Sequence, residues 1–184
     1  MSYPIFDRSQ LHLRPLDERL HDMTIDEVQA LDAALEHCDQ PGLPVLAERI
    51  RTARANDKPV IILMGAHVIK RGMSRFIIEL MRKGWVTHVA MNGACAIHDA
   101  ELAMIGATTE SVARYIMEGQ FGLWDETGII NEGATKAFEQ QQGFGETLGQ
   151  MLTEMQPPHV DVSILAAGYA LQIPVTLHIG IGND

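Results

Sequence analysis

Asn92, His98, Asp99 and Glu101 fall within one short stretch, residues 86–101, that reads Val-Thr-His-Val-Ala-Met, Asn-Gly-Ala-Cys-Ala, Ile-His-Asp-Ala-Glu. An imidazole beside carboxylates can move a proton near neutral pH or hold a cationic amine. On a helix, His98 and Glu101 lie three apart and share a face, while Asp99 points about a quarter-turn away. Cys95, His98 and Asp99 follow i, i+3, i+4 spacing. That suits a metal, with His67 and His88 joining, or a Cys95–His98 dyad whose thiol a helix N-terminus would acidify. A plain structural explanation also holds, because carboxylates in a first turn favour the helix dipole without any ligand. The expected catalytic set is His98, Asp99 and Glu101, with no metal assigned.

The elements that must position these groups follow from the apolar pattern. Residues 86–91 read as a short buried strand, 92–96 as a turn of very small residues, and the rest as a helix. Residues 59–64 (Pro-Val-Ile-Ile-Leu-Met) are a continuous apolar run, the mark of a strand covered on both faces. Gly65 and the segment Ala66-His67-Val-Ile-Lys-Arg-Gly72 follow it. An amphipathic helix through Phe76, Ile77, Leu80 and Met81 comes next, closed by Gly84. Strand–helix–strand at this spacing predicts a right-handed βαβ unit with parallel strands. Ligands collect beyond the carboxyl ends of such strands, so the turns at 65–72 and 92–96 would form a cleft for an extended ligand. Neither turn is Gly-x-Gly-x-x-Gly or a Walker loop.

Residues 1–23, broken by Pro4 and Pro15, read as an arm that docks on the domain or a neighbour. Residues 24–184 read as one α/β domain. Thr24-Ile-Asp-Glu27 has capping-box spacing, and Leu31, Ala34 and Leu35 continue at helical spacing. Residues 43–56 predict a second helix. Thr108-Thr-Glu110 would open a further helix after Gly106, and 128–131 would form a short strand. Residues 132–156 read as helix interrupted by glycines, 162–171 as a small-residue helix and 174–179 as a strand. So few strands leave an exposed sheet edge, which calls for a partner or further chain.

The composition narrows the function classes. A net charge of −10 over 184 residues argues against nucleic acid and anionic membrane surfaces as partners, and suits a small-molecule amine. Two cysteines make no disulfide framework and no Cys-x-x-Cys pair. With no apolar run of about 20 residues and no signal-like start, a cytoplasmic protein is expected.

At these residues the sequence resembles the deoxyhypusine synthase family. The family's Ser-Asn-x-x-Ser-Ser-Gly corresponds to residues 66–72, and its Thr-Thr-Ala-Gly-Gly-Val-Glu-Glu-Asp to 91–99. Its Ile-Pro-Val strand is similar to Ile173-Pro174-Val175, and its Thr-Asp-Gly loop, with one inserted residue, to Asn183-Asp184. The resemblance implies a Rossmann-like, mainly parallel sheet flanked by helices, with NAD bound at the interfaces of a homo-oligomer (dimer or tetramer). It further implies NAD-dependent aminoalkyl transfer from a polyamine such as spermidine. Gly65, His67, Gly72, Asn92, Gly93, Ala94 and Asp184 would then line the cofactor, and His98 and Asp99 would face the amine; Glu101 rests on spacing alone. The sequence departs from the family at Ala66-His67, Ala94-Cys95 and Ile97, and does not reach the family's lysine-bearing carboxyl-terminal part. The alternatives are a non-catalytic NAD-binding or oligomerisation module that has lost that lysine, and a metal-dependent hydrolase using His67, His88, His98 and Asp99.

Overall fold

The computed structural model describes residues 3–33 and 39–180. Among them, five short strands form two sheets. β1 (His21–Thr24) pairs antiparallel with β4 (Ala107–Glu110). The apolar runs become β2 (Ile61–Met64), β3 (His88–Asn92) and β5 (Val175–His178), a parallel sheet in the order β2-β3-β5. The helices are α1 (Gly42–Ala55), α2 (His67–Lys70), α3 (Ser74–Arg82), α4 (Gly93–Ile105), α5 (Val112–Met117), α6 (Ile129–Gln140), α7 (Phe144–Met155) and α8 (Ile164–Leu171). This is the α/β, Rossmann-like, mainly parallel architecture that the sequence predicts. No helix among the described residues is long and apolar enough to cross a membrane.

Alternation along the strands gives the sheet two unlike faces. Ile62, Met64, Val89, Met91, Val175 and Leu177 point to one face and enter the main core with residues of α3, α4, α7 and α8. A fully buried side chain of this size stabilises the fold by about 1.5–3 kcal/mol. Ile61, Leu63, His88, Ala90, Asn92, Thr176 and His178 point the other way. There Leu63 is 79% exposed and Ile61 49% exposed, so β2 is covered on one face rather than on both.

Local signals were met with different outcomes. The capping box forms, with Glu27 Oε1 accepting from Thr24 N at 3.0 Å, but it opens only a 3-10 turn, Ile25–Glu27. Ala34 and Leu35, which would have continued a helix, lie outside the described residues. Thr108 and Glu110 belong to a strand, because that segment pairs with β1 and the helix begins only at Val112. Residues 128–131 are not a strand; a 3-10 turn, Glu126–Gly128, runs directly into α6. The arm is anchored at its inner end, where Leu16 is fully buried with Tyr115 and Trp124. Tyr115 and Trp124 meet edge to face, 5.0 Å between centroids.

Candidate functional site

Helix α4 leaves β3 at the centre of the sheet, and both its ends are set by sequence. Asn92 is the N-cap, its Oδ1 accepting from Cys95 N at 3.1 Å. Gly106 closes the helix at φ 66°, where a side chain would collide with His159. Between them Cys95, Ala96, Ala100, Leu102 and Ala103 are buried, so α4 runs through the core and its carboxylates go in with it.

Asp99 is 1% exposed and lies under the start of α8. It accepts from Ser163 Oγ at 2.6 Å, Ile164 N at 2.8 Å and Leu165 N at 3.2 Å. Ser163, the N-cap of α8, in turn accepts from Ala166 N at 3.0 Å. Together the two residues satisfy the open N–H groups of that helix. Burial pushes the Asp99 carboxyl up to about 6, against the lowering by its three hydrogen bonds.

Glu101 leaves the opposite flank of α4, two residues and about 200° further round the helix. It is equally buried and receives Arg19 in a forked pair, Nη1 to Oε1 at 2.9 Å and Nη2 to Oε2 at 2.5 Å. Thr108 donates to Oε2 at 2.7 Å and Thr127 to Oε1 at 2.9 Å, so each carboxylate oxygen accepts twice. The Arg19 guanidinium stands 5.5 Å from the centroid of the Trp124 ring. Arg19 Nε also donates to His21 Nδ1 at 3.3 Å. Burial, then the charge of Arg19, lowers the His21 pKa.

His98 and Glu101 do share a face, since both bond Thr108; His98 Nδ1 lies 2.7 Å from its hydroxyl. That hydroxyl has one proton and gives it to Glu101, so the imidazole carries its proton on Nδ1. The geometry therefore joins His98 to Glu101 and Arg19 and sends Asp99 elsewhere. Both carboxylates are occupied in holding α8 and the arm, whereas half-buried His98 stands at the margin of the network.

Cys95 is fully buried and its thiol lies 3.6 Å from the Met64 carbonyl. Burial, together with the charge of Asp99, pushes it up to about 11. An acidified nucleophile would need the opposite shift. Among the described residues no three His, Cys, Asp or Glu side chains converge as metal ligands.

The expected cofactor residues divide by position. Gly65 at the end of β2, His67 at the start of α2 and Asn92 at the end of β3 stand exposed along the carboxyl edge, joined by exposed His178 at the end of β5. A side chain at Gly65 would meet nothing within 4 Å among the described residues beyond its chain neighbours. Gly93 is buried and Ala94 half-buried, so they let α4 begin tight against the sheet. Gly72 serves packing: at φ 73°, a side chain there would lie 2.2 Å from the Glu27 carbonyl. Asp184 lies outside the described residues.

Two features of the structure escaped the sequence reading. His88 and His178 each place Nε2 2.9 Å from Thr176 Oγ1, a polar chain on the sheet's open face. They come from strands far apart in sequence, and only the register reveals them. A cavity of about 840 Å³ opens beside β5, bordered by Phe144, Glu146, Tyr169 and Gln172. Its signal was the spacing Gly143-Phe-Gly145. Gly145, however, is small because the Val175 carbonyl would lie 1.9 Å from a side chain there.

No protein-family profile matches this sequence, and no curated protein matches it either. Solved structures do resemble it. Unliganded AgrE superposes with a TM-score of 0.54 at 19% identity, over 85% of this chain and 21% of AgrE. ArgZ, an arginine dihydrolase from the ornithine–ammonia cycle in cyanobacteria, gives 0.50 at 19% identity, over 82% of this chain and 20% of ArgZ. A conserved LOR/SDH protein from Methanococcus maripaludis S2 gives 0.50 at 17% identity, over 86% of this chain and 44% of that one. The likeness is one of fold. The chain spans about a fifth of AgrE and ArgZ and less than half of the LOR/SDH protein.

These neighbours overturn the resemblance to deoxyhypusine synthase. The motifs behind that resemblance are small-residue turns at strand ends, which any α/β sheet of this kind needs. Two of the matched residues also answer to local packing, Gly72 against Glu27 and Asp99 under α8.

Proposed function

We propose that this chain is an NAD-binding module of an enzyme, with the dinucleotide lying across the carboxyl edge of the parallel sheet. The observation that carries this reading is the juxtaposition of Gly65 and His67 on one strand end with Asn92 on the next, at the start of a thirteen-residue buried helix. Gly65, Ala66, His67, Asn92, Gly93, Ala94 and His178 include no carboxylate, although the chain carries 24 acidic residues. An anionic pyrophosphate fits such an edge better than it fits the cavity bordered by Glu146. His67, Asn92 and the open backbone at Gly65 would hold it there, close to the positive end of α4. Bound NAD would supply a hydride acceptor. AgrE itself has been captured with ornithine and NAD+ and, as a C264A mutant, with L-arginine.

A small amine is the proposed substrate class, in keeping with the acidic balance. His98 is the one expected catalytic side chain that remains half-exposed, and its Nδ1 proton orients the ring. Because Asp99 and Glu101 are both held in structural bonds, a second reading is favoured alongside, a module that binds NAD without turning over.

Calorimetric titration with NAD+ and NADH tests the proposal. Saturable binding that Gly65→Asp weakens is expected, and absence of heat at millimolar nucleotide would overturn it. Ornithine-, arginine- or other amine-dependent appearance of NADH would then separate the catalytic module from the silent one.

A further inference from the structure

Among the described residues, two exposed apolar surfaces bear on each other. The first is the outer arm, in which Tyr3 is 92%, Ile5 96%, Phe6 63% and Leu13 51% exposed. The second is the open face of the sheet around Ile61 and Leu63. The arm's inner end is fixed: Arg14 N donates to the Leu123 carbonyl at 3.2 Å, Asp125 N donates to the Arg14 carbonyl at 3.0 Å, and Leu16 and Arg19 are buried. The residues before Arg14 therefore project from a fixed point with their large apolar groups in water. Soluble chains rarely leave such patches uncovered, and parallel sheets rarely leave a face bare.

We infer that a second copy of this chain covers both surfaces, the arm of each copy lying across the open sheet face of the other. Three observations favour this occupant. The first is area. The exposed side chains of the arm, with Ile61 and Leu63, offer roughly 800 Å² per chain, about what each partner contributes to a stable interface. The second is charge. Two copies at −10 repel each other, yet the face formed by Ile61, Leu63, His88, Ala90, Asn92, Thr176 and His178 holds no carboxylate. Residues 3–13 contain one acid, Asp7, and one strong base, Arg8, so the arm is neutral. The third is reach. Residues 3–13 contain a 3-10 turn, Arg8–Gln10, and the eleven residues still span roughly 30 Å, ample to cross three strands spaced about 4.8 Å apart. The exchange is twofold and closed, since the same two surfaces meet twice. The face shares Asn92 and His178 with the proposed nucleotide edge, but the two proposals fail separately, because the dimer is read without nucleotide.

Sedimentation equilibrium of the full chain, with Leu63→Glu on the face and Ile5→Asp/Phe6→Asp on the arm, tests it. A dimer is expected for the parent, and each variant should weaken association at least about a hundredfold. Because all three positions are exposed in the single chain, the circular dichroism and melting of the monomeric fraction should not change. A monomeric parent at high micromolar concentration overturns the inference and leaves the face to another partner. Dimerisation that survives either variant overturns it as well.

Discussion

The two ends of the region first picked out for chemistry behave oppositely. Along α4, Asp99 and Glu101 are buried and accept seven hydrogen bonds between them. At the carboxyl edge where α4 begins, Gly65, His67 and Asn92 stand exposed, and among the described residues beyond its chain neighbours nothing lies within 4 Å of where a Gly65 side chain would be. A carboxylate taken into a core must be paired or hydrogen-bonded, and once it is, little capacity remains for a ligand. Acidic groups on a buried helix therefore speak first for structure, and small or polar groups at an open strand end speak for binding.

The sharpest way to break this comparison is Glu101→Ala, which leaves the Arg19 charge buried with no acceptor in its place. Urea unfolding should show a loss of about 3–5 kcal/mol, the usual cost of breaking a buried pair from one side. Replacing both partners, Arg19→Met with Glu101→Leu, should recover much of it. A loss near that of an exposed pair would mean that the network is solvated and the contrast false.

Next comes the pair of glycines. Gly72→Ala meets both a left-handed φ and the Glu27 carbonyl, so destabilisation of about 1–3 kcal/mol is expected by thermal melting. Gly65→Ala should stay within about 0.5 kcal/mol of the parent. Equal effects at the two positions would erase the distinction between a packing glycine and an edge glycine.

Asp99 gives a smaller, pH-dependent effect. Its folded-state pKa, about 6, lies above the ordinary aspartate value of about 3.9. The folded state therefore holds this proton more tightly than the unfolded chain does. The resulting stability is complete below the unfolded pKa and is lost as pH rises through about 6. Stability from this group should accordingly fall between about pH 4 and 6, and Asp99→Asn should flatten that part of the profile. A rise over the same window would show that the hydrogen bonds of α8 outweigh burial.

How much was legible beforehand depended on whether the signal was local. The apolar-rich segments gave β2, β3 and β5 because short stretches rich in branched residues and bounded by Gly or Pro fit a sheet strand more readily than a helix. Gly84 and Gly106 ended helices where expected, both with positive φ. Thr108 and Glu110 misled because threonine and glutamate suit a helix start and an edge strand alike, and pairing with β1 decided the matter. The capping box at Thr24 was real, yet a cap has no power to extend a helix. At the site, the shared face of His98 and Glu101 followed from spacing, but their link through Thr108 did not, since it arrives on another strand. His178 was missed because proximity to Asn92 depends on a register no sequence pattern encodes.

The sequence by itself determined which segments are apolar enough to become parallel strands, where glycine and asparagine let the chain turn, and that two acids would travel with one helix. Only the tertiary structure decided what those acids do, which sheet face stays open and which proteins the fold is like. Hydrophobic patterning acts over a few neighbouring residues, whereas the partner of a buried charge is chosen by packing between elements up to 82 positions apart, as Arg19 and Glu101 are.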